Sequence, residues 1–233
     1  MHAHTLRARI IRQIVFGAND GSVTTLGIVS GLAGASLGNN MVLLVGLAAT
    51  FAGALSMAVG EYLSTKSQIS YYQGTFAREE KEISERPALE KERIRKIYKA
   101  KGFRNDDLER VVDIITRDKN VWLKVLMEED FGLSKAHFER PVVNALIMGV
   151  SFVVASAIPL SPYIFIANGS ALTSAVALSL VTFIGIGILK APYTGKHFFI
   201  SSFETLFWGT LISAVSYYLG EFFSLIAGYN IVI

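Results

Sequence analysis

Residues 10–37, IIRQIVFGANDGSVTTLGIVSGLAGASL, decide the fold of the chain, because they form an apolar run long enough to cross a bilayer. The run nevertheless contains Asn19 and Asp20. A carboxylate inside a transmembrane segment costs several kcal/mol unless it faces a partner or water, so Asp20 marks a candidate functional site. The alternative is that Asp20 caps a broken helix or lies at the membrane interface.

The charged residues are concentrated in one part of the chain. They make up 18% of a sequence that is 52% hydrophobic, and most of them fall between residues 66 and 140. We therefore expect a bilayer part and an aqueous insert. The net charge is only +3 and the insert interleaves both signs, which argues against a nucleic-acid partner. The chain has no cysteine, which excludes disulfides and thiolate metal sites.

Five hydrophobic runs of about 20 residues or more are long enough to be transmembrane helices. They cover residues 10–37, 41–65, 142–160, 163–189 and 198–227. Residues 38–40 and 161–162 form very short, uncharged connections. The predicted fold class is an all-α integral membrane protein with five transmembrane helices. Residues 1–65 hold helices one and two, residues 66–140 a cytoplasmic three-helix insert, and residues 141–233 helices three to five.

Basic residues flank the runs on one side only. Arg7 and Arg9 precede the first run and Arg12 lies at its start, the charged insert follows the second, and Lys190 and Lys196 follow the fourth. Because basic loops stay in the cytoplasm, this pattern predicts a multi-pass protein whose N-terminus and insert are cytoplasmic and whose C-terminus is outside or lumenal.

Small residues recur along the second run. Gly46, Gly53 and Gly60 are seven residues apart, so they lie along one face of a helix. Such stripes let helix backbones approach closely in lipid. Tight packing within the chain and a seam between two copies are both consistent with this pattern.

The insert is expected to be helical. Its first part, residues 67–83, continues the second run into the cytoplasm, and Pro87 suits the first turn of a helix that Gly102 ends. Asn105 is the expected N-cap of a helix over 106–118, whose first turn is acidic. A last helix over 121–131 stops at Gly132.

Met57 and Glu61 are the candidate partners of Asp20 in the bilayer part. They are four residues apart and so share a helix face. Two carboxylates and one thioether suit a borderline cation such as Fe²⁺ better than Mg²⁺ or Ca²⁺. A carboxylate that releases a proton when metal binds also provides proton coupling. The alternatives are that Glu61 snorkels to the interface and that Met57 is ordinary core.

Acidic residues also recur through the insert. Glu79 and Glu82 share a helix face because they are three residues apart. Brought together with acids from the later helices, they would form a multi-carboxylate metal site with one soft ligand. A run of charge is otherwise simply a solvated face. The candidate ligands of this site are Glu79, Glu82, Glu90, Met127, Glu129 and Asp130.

Two further acids, Glu204 and Glu221, lie in the last apolar run. Glu204 is placed either to relay protons or to pair with a lysine. The sequence shows no nucleophile–base pair and no cofactor-binding loop, so we expect neither an enzyme nor a resident cofactor.

Several of these segments resemble the vacuolar iron transporter family. They are FGANDGSVTTLGIVSGLAGA over 16–35, AGALSMAVGEYLSTKSQ over 52–68, and MEEDFGL over 127–133. The resemblance covers nearly the whole chain in order. It implies a homodimeric exporter of cytosolic Fe²⁺, and also of Mn²⁺, in exchange for protons. It further implies a path between the two subunits and an insert that collects metal ions at the cytoplasmic mouth.

The resemblance also assigns residues. Asp20 and Met57 match the family's pathway ligands, and Glu61 matches the glutamate of its Gly-Glu-Tyr motif. Three of the insert's metal-binding glutamates match Glu79, Glu82 and Glu90.

The chain departs from the family pattern at three positions. Arg93 and Ala49 stand where glutamates are expected, and Asp130 stands where the last insert helix usually has a glutamate. Losing carboxylates and gaining an arginine weakens a cluster of metal sites. These departures favour a rival hypothesis, a membrane-anchored protein that binds or senses metal ions without transporting them.

Overall fold

The computed structural model of the chain describes residues 2–133, 140–166, 169–195 and 197–226, with side chains from residue 10 onward except that of residue 194. Lys196 and residue 227, which the predictions above include, lie outside these ranges. The described residues form α-helices and no strand, which confirms the all-α class. The helices are α1 His2–Gly34, α2 Asn39–Glu85, α3 Pro87–Ala100, α4 Asn105–Arg117, α5 Lys119–Glu129, α6 Pro141–Phe165, α7 Ala171–Thr194 and α8 Phe198–Ile226.

The chain divides into two compact units. One comprises Met1–Tyr62 with Val142–Ile233, and the other comprises Leu63–Pro141. We call the first the membrane unit and the second the insert. Helix α2 is continuous across the boundary between them, as expected for residues 67–83.

Four of the described helices are long and apolar enough to cross a membrane, namely α2, α6, α7 and α8. Helix α1 is not among them, so by length and composition four of the five predicted spans are candidates and the count of five stays a prediction. The reason lies in its composition, since Asn19, Asp20 and Thr24 lower its mean hydropathy. It is nevertheless packed into the membrane unit against α7 and α8.

The predicted turn at residues 161–162 is wrong, because α6 continues through it to Phe165. Pro159 and Pro162 both lie inside this helix. Pro162 has no N–H to donate to the carbonyl of Ile158, and the Ser161 hydroxyl donates to that carbonyl instead at 2.8 Å. A side chain thereby replaces the lost backbone bond, as transmembrane helices with proline require. The next helix begins at Ala171 instead of residue 163.

Glycines bring the helices of the membrane unit into close contact. A Cβ on Gly220 of α8 would overlap the backbone of Gly31 in α1, so these helices touch backbone to backbone. In α2, a Cβ on Gly53 would lie 2.7 Å from the Phe152 ring of α6. A Cβ on Gly46 would lie even closer to the Leu160 side chain, whereas Gly60 has open space around it. Two members of the predicted stripe thus serve packing within the chain.

The insert has an apolar core of its own. Its largest fully buried side chains include Ile94, Val112 and Leu126, one from each of α3, α4 and α5. The Asp118 side chain caps α5 by accepting a hydrogen bond from the Asn120 N–H at 2.8 Å. Helix α3 begins at Pro87 as predicted.

The predicted cap of α4 is wrong by one residue. The N-cap is Arg104, whose side chain makes no capping bond, and Asn105 is the first helical residue. Asn105 has a φ of 48°, in the left-handed region that asparagine tolerates better than most residues.

The contact between α1 and α8 gives a prediction for stability. We expect Gly220→Ala to lower the thermal unfolding midpoint of the detergent-solubilised chain, because the added methyl group forces two backbones apart at a cost of about 1–3 kcal/mol. Gly185→Ala in α7 is the matched control, since nothing lies within 4 Å of a Cβ there. An equal midpoint for the two variants would contradict the backbone contact.

Candidate functional site

Asp20 lines a cavity of about 600 Å³ between α1, α7 and α8. The cavity has apolar walls from residues such as Val15, Phe16 and Ile186. Its ionisable lining residues are Arg12, Asp20, Lys190, Tyr193 and Glu204. Asp20 therefore faces open space and other ionisable side chains instead of being enclosed by apolar protein, as an intramembrane carboxylate requires.

A second cavity of about 430 Å³ adjoins the first. It runs further along α1, past Thr24 and Gly27, to Ser216 of α8. Asp20, Val23 and Ile212 line both cavities. Asp20 therefore stands where two spaces meet along α1, and its side chain is half-buried.

Glu204 pairs with Lys190 across the first cavity, with 3.6 Å between Nζ and Oε2. Of the two possibilities that the sequence left open for Glu204, the structure shows the pairing with a lysine. The two residues come from neighbouring helices, α8 and α7.

Met57 and Glu61 are placed differently from Asp20. Glu61 accepts a hydrogen bond of 2.6 Å from the Gln13 side-chain amide of α1, and the Gln13 side chain is buried. Met57 is half-buried. Neither Met57 nor Glu61 is among the residues that line the two cavities of Asp20. The structure thus connects Glu61 to α1 through Gln13.

In the insert, three acids surround one guanidinium. Arg93 Nη1 lies 2.7 Å from an oxygen of Glu79 and 2.7 Å from an oxygen of Glu90. Its Nη2 bonds Asp130. The side chains of Glu79 and Glu90 are only 4% and 2% exposed. Three of the six predicted insert ligands are therefore brought together, but around an arginine.

The other three predicted insert ligands lie elsewhere. Glu129 pairs with Lys101 at 2.5 Å, and Glu82 lies 3.9 Å from Arg86. Met127 is 1% exposed and belongs to the apolar core of the insert. Among the residues that the structure describes, no three acidic or histidine side chains are arranged to hold a metal ion by themselves. Metal binding by the insert acids stays a prediction.

Burial and pairing act against each other on Glu90 and Arg93, and the net result is a raised pKa for both groups. The pKa of Glu90 is raised above its usual range, chiefly because burial disfavours its charged form, although Arg93 opposes this shift. The pKa of Arg93 is raised because its bonds to Asp130 and Glu79 outweigh the effect of its own burial. The guanidinium is therefore charged at every physiological pH.

Sequence reasoning missed two features of the membrane unit. Gln13 carries a polar side chain inside an apolar run, which is the one signal that pointed to it. The grouping of Arg12 with Lys190 and Glu204 around Asp20 depends on packing between helices that are far apart in sequence, so no local pattern predicts it.

Comparison with known families complements this geometry. The model of the VIT family matches residues 11–221. The chain belongs to this family. Helices α1 to α8 all overlap the matched range, so the membership applies to the membrane unit and the insert alike.

Relatives within the VIT family are similar over almost their full length. Vacuolar iron transporter 1 of Oryza sativa subsp. japonica is 34% identical over 215 residues, which cover 92% of this chain and 85% of the relative. Vacuolar iron transporter 1 of Arabidopsis thaliana is 31% identical over 219 residues, covering 94% and 88%. The vacuolar iron transporter of Plasmodium falciparum (isolate 3D7) is 31% identical over 227 residues, covering 93% and 83%. These relatives are named as transporters, which places the chain among transporters and not among enzymes.

The acid group around Arg93 gives a prediction with a defined pH dependence. At pH 8, Arg93→Gln is expected to destabilise the chain by about 3 kcal/mol, the low end for breaking a buried pair, because the Arg93 side chain is 27% exposed. Burial raises the folded-state pKa of Glu90 and Arg93 opposes that rise, so without the guanidinium the folded state takes up the Glu90 proton at a higher pH than in the parent. The destabilisation caused by Arg93→Gln should therefore become smaller as the pH is lowered towards 5.

Thermal unfolding of the detergent-solubilised chain at several pH values measures this effect. Arg95→Gln is the matched control, since Arg95 pairs with Glu92 and Glu109 on the solvent side of the same helix. Its effect should be small at every pH. A destabilisation by Arg93→Gln that grows on acidification would contradict the assignment.

Proposed function

We propose that the chain transports divalent metal ions, Fe²⁺ and also Mn²⁺, out of the cytosol in exchange for protons, as a homodimer in a membrane. Membership of the VIT family and the names of the relatives support iron transport. The single observation that supports the site best is Asp20, a half-buried carboxylate inside the membrane unit that opens onto two adjoining cavities.

Asp20 has the chemistry that the proposed cargo requires. A carboxylate oxygen binds hard and borderline divalent cations, and it must be deprotonated to do so. Metal arrival therefore releases a proton, and metal departure allows one to return. This exchange couples the movement of metal to that of protons without a further cofactor.

Met57 and Glu61, which line neither cavity of Asp20, are the other two residues of the proposed path. The thioether of Met57 would favour Fe²⁺ over harder cations. Glu61 acts as a ligand or a proton carrier, and its bond to Gln13 fixes one of its oxygens against α1. The insert acids are left outside this path, because Arg93 occupies the centre of the group formed by Glu79, Glu90 and Asp130.

We propose five transmembrane helices: α2, α6, α7 and α8, together with α1. Helix α1 packs on α7 and α8, two of the helices that are long and apolar enough to span a membrane. A helix lined by neighbours and cavities tolerates polar residues that a lipid-facing helix would not. The distribution of basic residues supports a cytoplasmic N-terminus and insert and an outer or lumenal C-terminus.

The homodimer is supported by an exposed stripe on α2. Ala48, Ala52, Ser56 and Gly60 are four residues apart, and all are exposed in the single chain. Small residues at this spacing allow two helices to approach closely in lipid. The neighbouring exposed side chains Phe51, Leu55 and Val59 would add apolar contact on either side. We therefore place the contact between the two copies along this face of α2.

Transport is tested by metal flux into proteoliposomes under an imposed pH gradient. We expect Fe²⁺ and Mn²⁺ to enter in proportion to the gradient in the parent, and Asp20→Asn to reduce the flux at least tenfold, because the amide neither carries the charge nor exchanges the proton. Glu221→Gln is the matched control, an exposed acid of α8 that lines neither cavity of Asp20.

Equal flux in the parent and Asp20→Asn would refute the path. Metal binding without flux by folded, dimeric parent protein would favour the rival, a membrane-anchored metal-binding or sensing protein.

The dimer contact is tested separately. Ala52→Leu should weaken dimerisation, because a larger side chain separates the two α2 helices, whereas Ala177→Leu, which changes an exposed alanine of α7, should have no effect. Light scattering of the detergent-solubilised chain across a dilution series measures the shift from dimer to monomer. A dimer that is unaffected by Ala52→Leu would place the contact elsewhere.

A further inference from the structure

The group around Arg93 is the most deeply buried set of charges in the insert among the described residues. Glu79 and Glu90 are 4% and 2% exposed at their side chains, while Arg93 is 27% and Asp130 39% exposed. The Phe131 ring covers the guanidinium, with 5.6 Å between its centroid and Cζ. Two carboxylates this deeply buried need a cation beside them.

The oxygens of this group converge on one position. One oxygen of Glu79 and one of Glu90 both lie 2.7 Å from the same atom, Arg93 Nη1. Asp130 bonds the neighbouring Nη2. Three carboxylates from α2, α3 and the end of α5 thus point at the two terminal nitrogens of one side chain.

Among the described residues of the insert, no other cationic side chain is as close to these acids as Arg93. Arg78 Nε lies 3.7 Å from the second oxygen of Glu79, but its side chain is 62% exposed and is screened by water. Arg93 alone makes hydrogen bonds to all three acids. A guanidinium suits this task because its planar fork presents several donors at fixed angles.

We propose that Arg93 is the resident cation of this group, taking the position that a divalent metal ion would otherwise occupy, so that the group carries no metal in this chain. Removing the guanidinium then opens a site for a divalent cation with oxygen ligands from Glu79, Glu90 and Asp130. The proposal concerns the insert and does not depend on whether the chain transports metal.

The geometry fits this exchange. Small divalent cations bind carboxylate oxygens at about 2.1 Å. The two glutamate oxygens would therefore move inward by about half an ångström each from their present 2.7 Å. An ion of charge +2 would balance the two buried carboxylates, which a neutral glutamine at position 93 cannot do.

Mn²⁺ binding to the full-length, detergent-solubilised chain tests the proposal. All variants carry Asp20→Asn, so that the membrane unit contributes the same background. We expect Arg93→Gln to gain one Mn²⁺ per chain, with affinity at least about tenfold above that of its parent, and to be thermally stabilised by Mn²⁺. Adding Glu79→Gln to Arg93→Gln should abolish both effects.

Arg95→Gln is the control for the loss of an arginine as such. Arg95 lies on the same helix and also bonds two acids, one of them three residues before it, as Arg93 does. Its partners Glu92 and Glu109 are 46% and 52% exposed at their side chains, unlike the buried Glu79 and Glu90, so Arg95→Gln should gain no Mn²⁺.

Two results would overturn the proposal. One is a folded, monodisperse Arg93→Gln chain that gains no Mn²⁺. The other is a parent that already binds Mn²⁺ through this group, seen as a loss of bound Mn²⁺ in Glu79→Gln alone. The second comparison leaves Arg93 in place, so it decides the matter even where Arg93→Gln does not fold. Because both are binding measurements, they are distinct from a failure of flux.

Discussion

The close approach of α1 to its neighbours is the constraint on which the membrane unit depends. Helix α1 is too polar to face lipid around its whole circumference, and its glycines let other helices cover it. Backbone contact at Gly31 and Gly220 fixes α1 against α8, and Gly17 and Gly21 do the same against α6. Packing also brings buried polar groups of the two helices together, as with Ser30 and Ser213 at 2.7 Å. Such an environment is what a carboxylate like that of Asp20 needs inside an apolar helical unit.

Buried charges organise the insert as well, but they are stabilised in a different way. The membrane unit leaves Asp20 beside open space, whereas the insert surrounds Glu79 and Glu90 with protein and supplies a guanidinium. Asp20 and the pair formed by Glu79 and Glu90 therefore differ in whether they are free to bind an ion. One is accessible to an incoming ion, and the other is already neutralised by the chain.

Much of this architecture follows from sequence because its causes are local. Pro87 started its helix as expected, and the polar residues of α1 already marked Asp20 as exceptional. The turn at 161–162 was wrongly predicted because the Ser161 hydroxyl replaces a backbone donor, a substitution that no propensity describes. The insert site was predicted from acids at suitable spacing. Spacing cannot show that Arg93 lies among them or that Met127 faces the core, because both depend on how α3 and α5 pack.

The cavity beside Asp20 also has an electrical consequence. Among its lining residues, the cationic Arg12 and Lys190 are matched in number by the anionic Asp20 and Glu204, so the lining is formally neutral. A doubly charged ion that enters brings an uncompensated charge of two. If two protons move the other way, the cycle is electroneutral. With fewer than two protons the cycle is electrogenic. The membrane potential then drives or opposes the cycle by about 2.3 kcal/mol for each net charge per 100 mV.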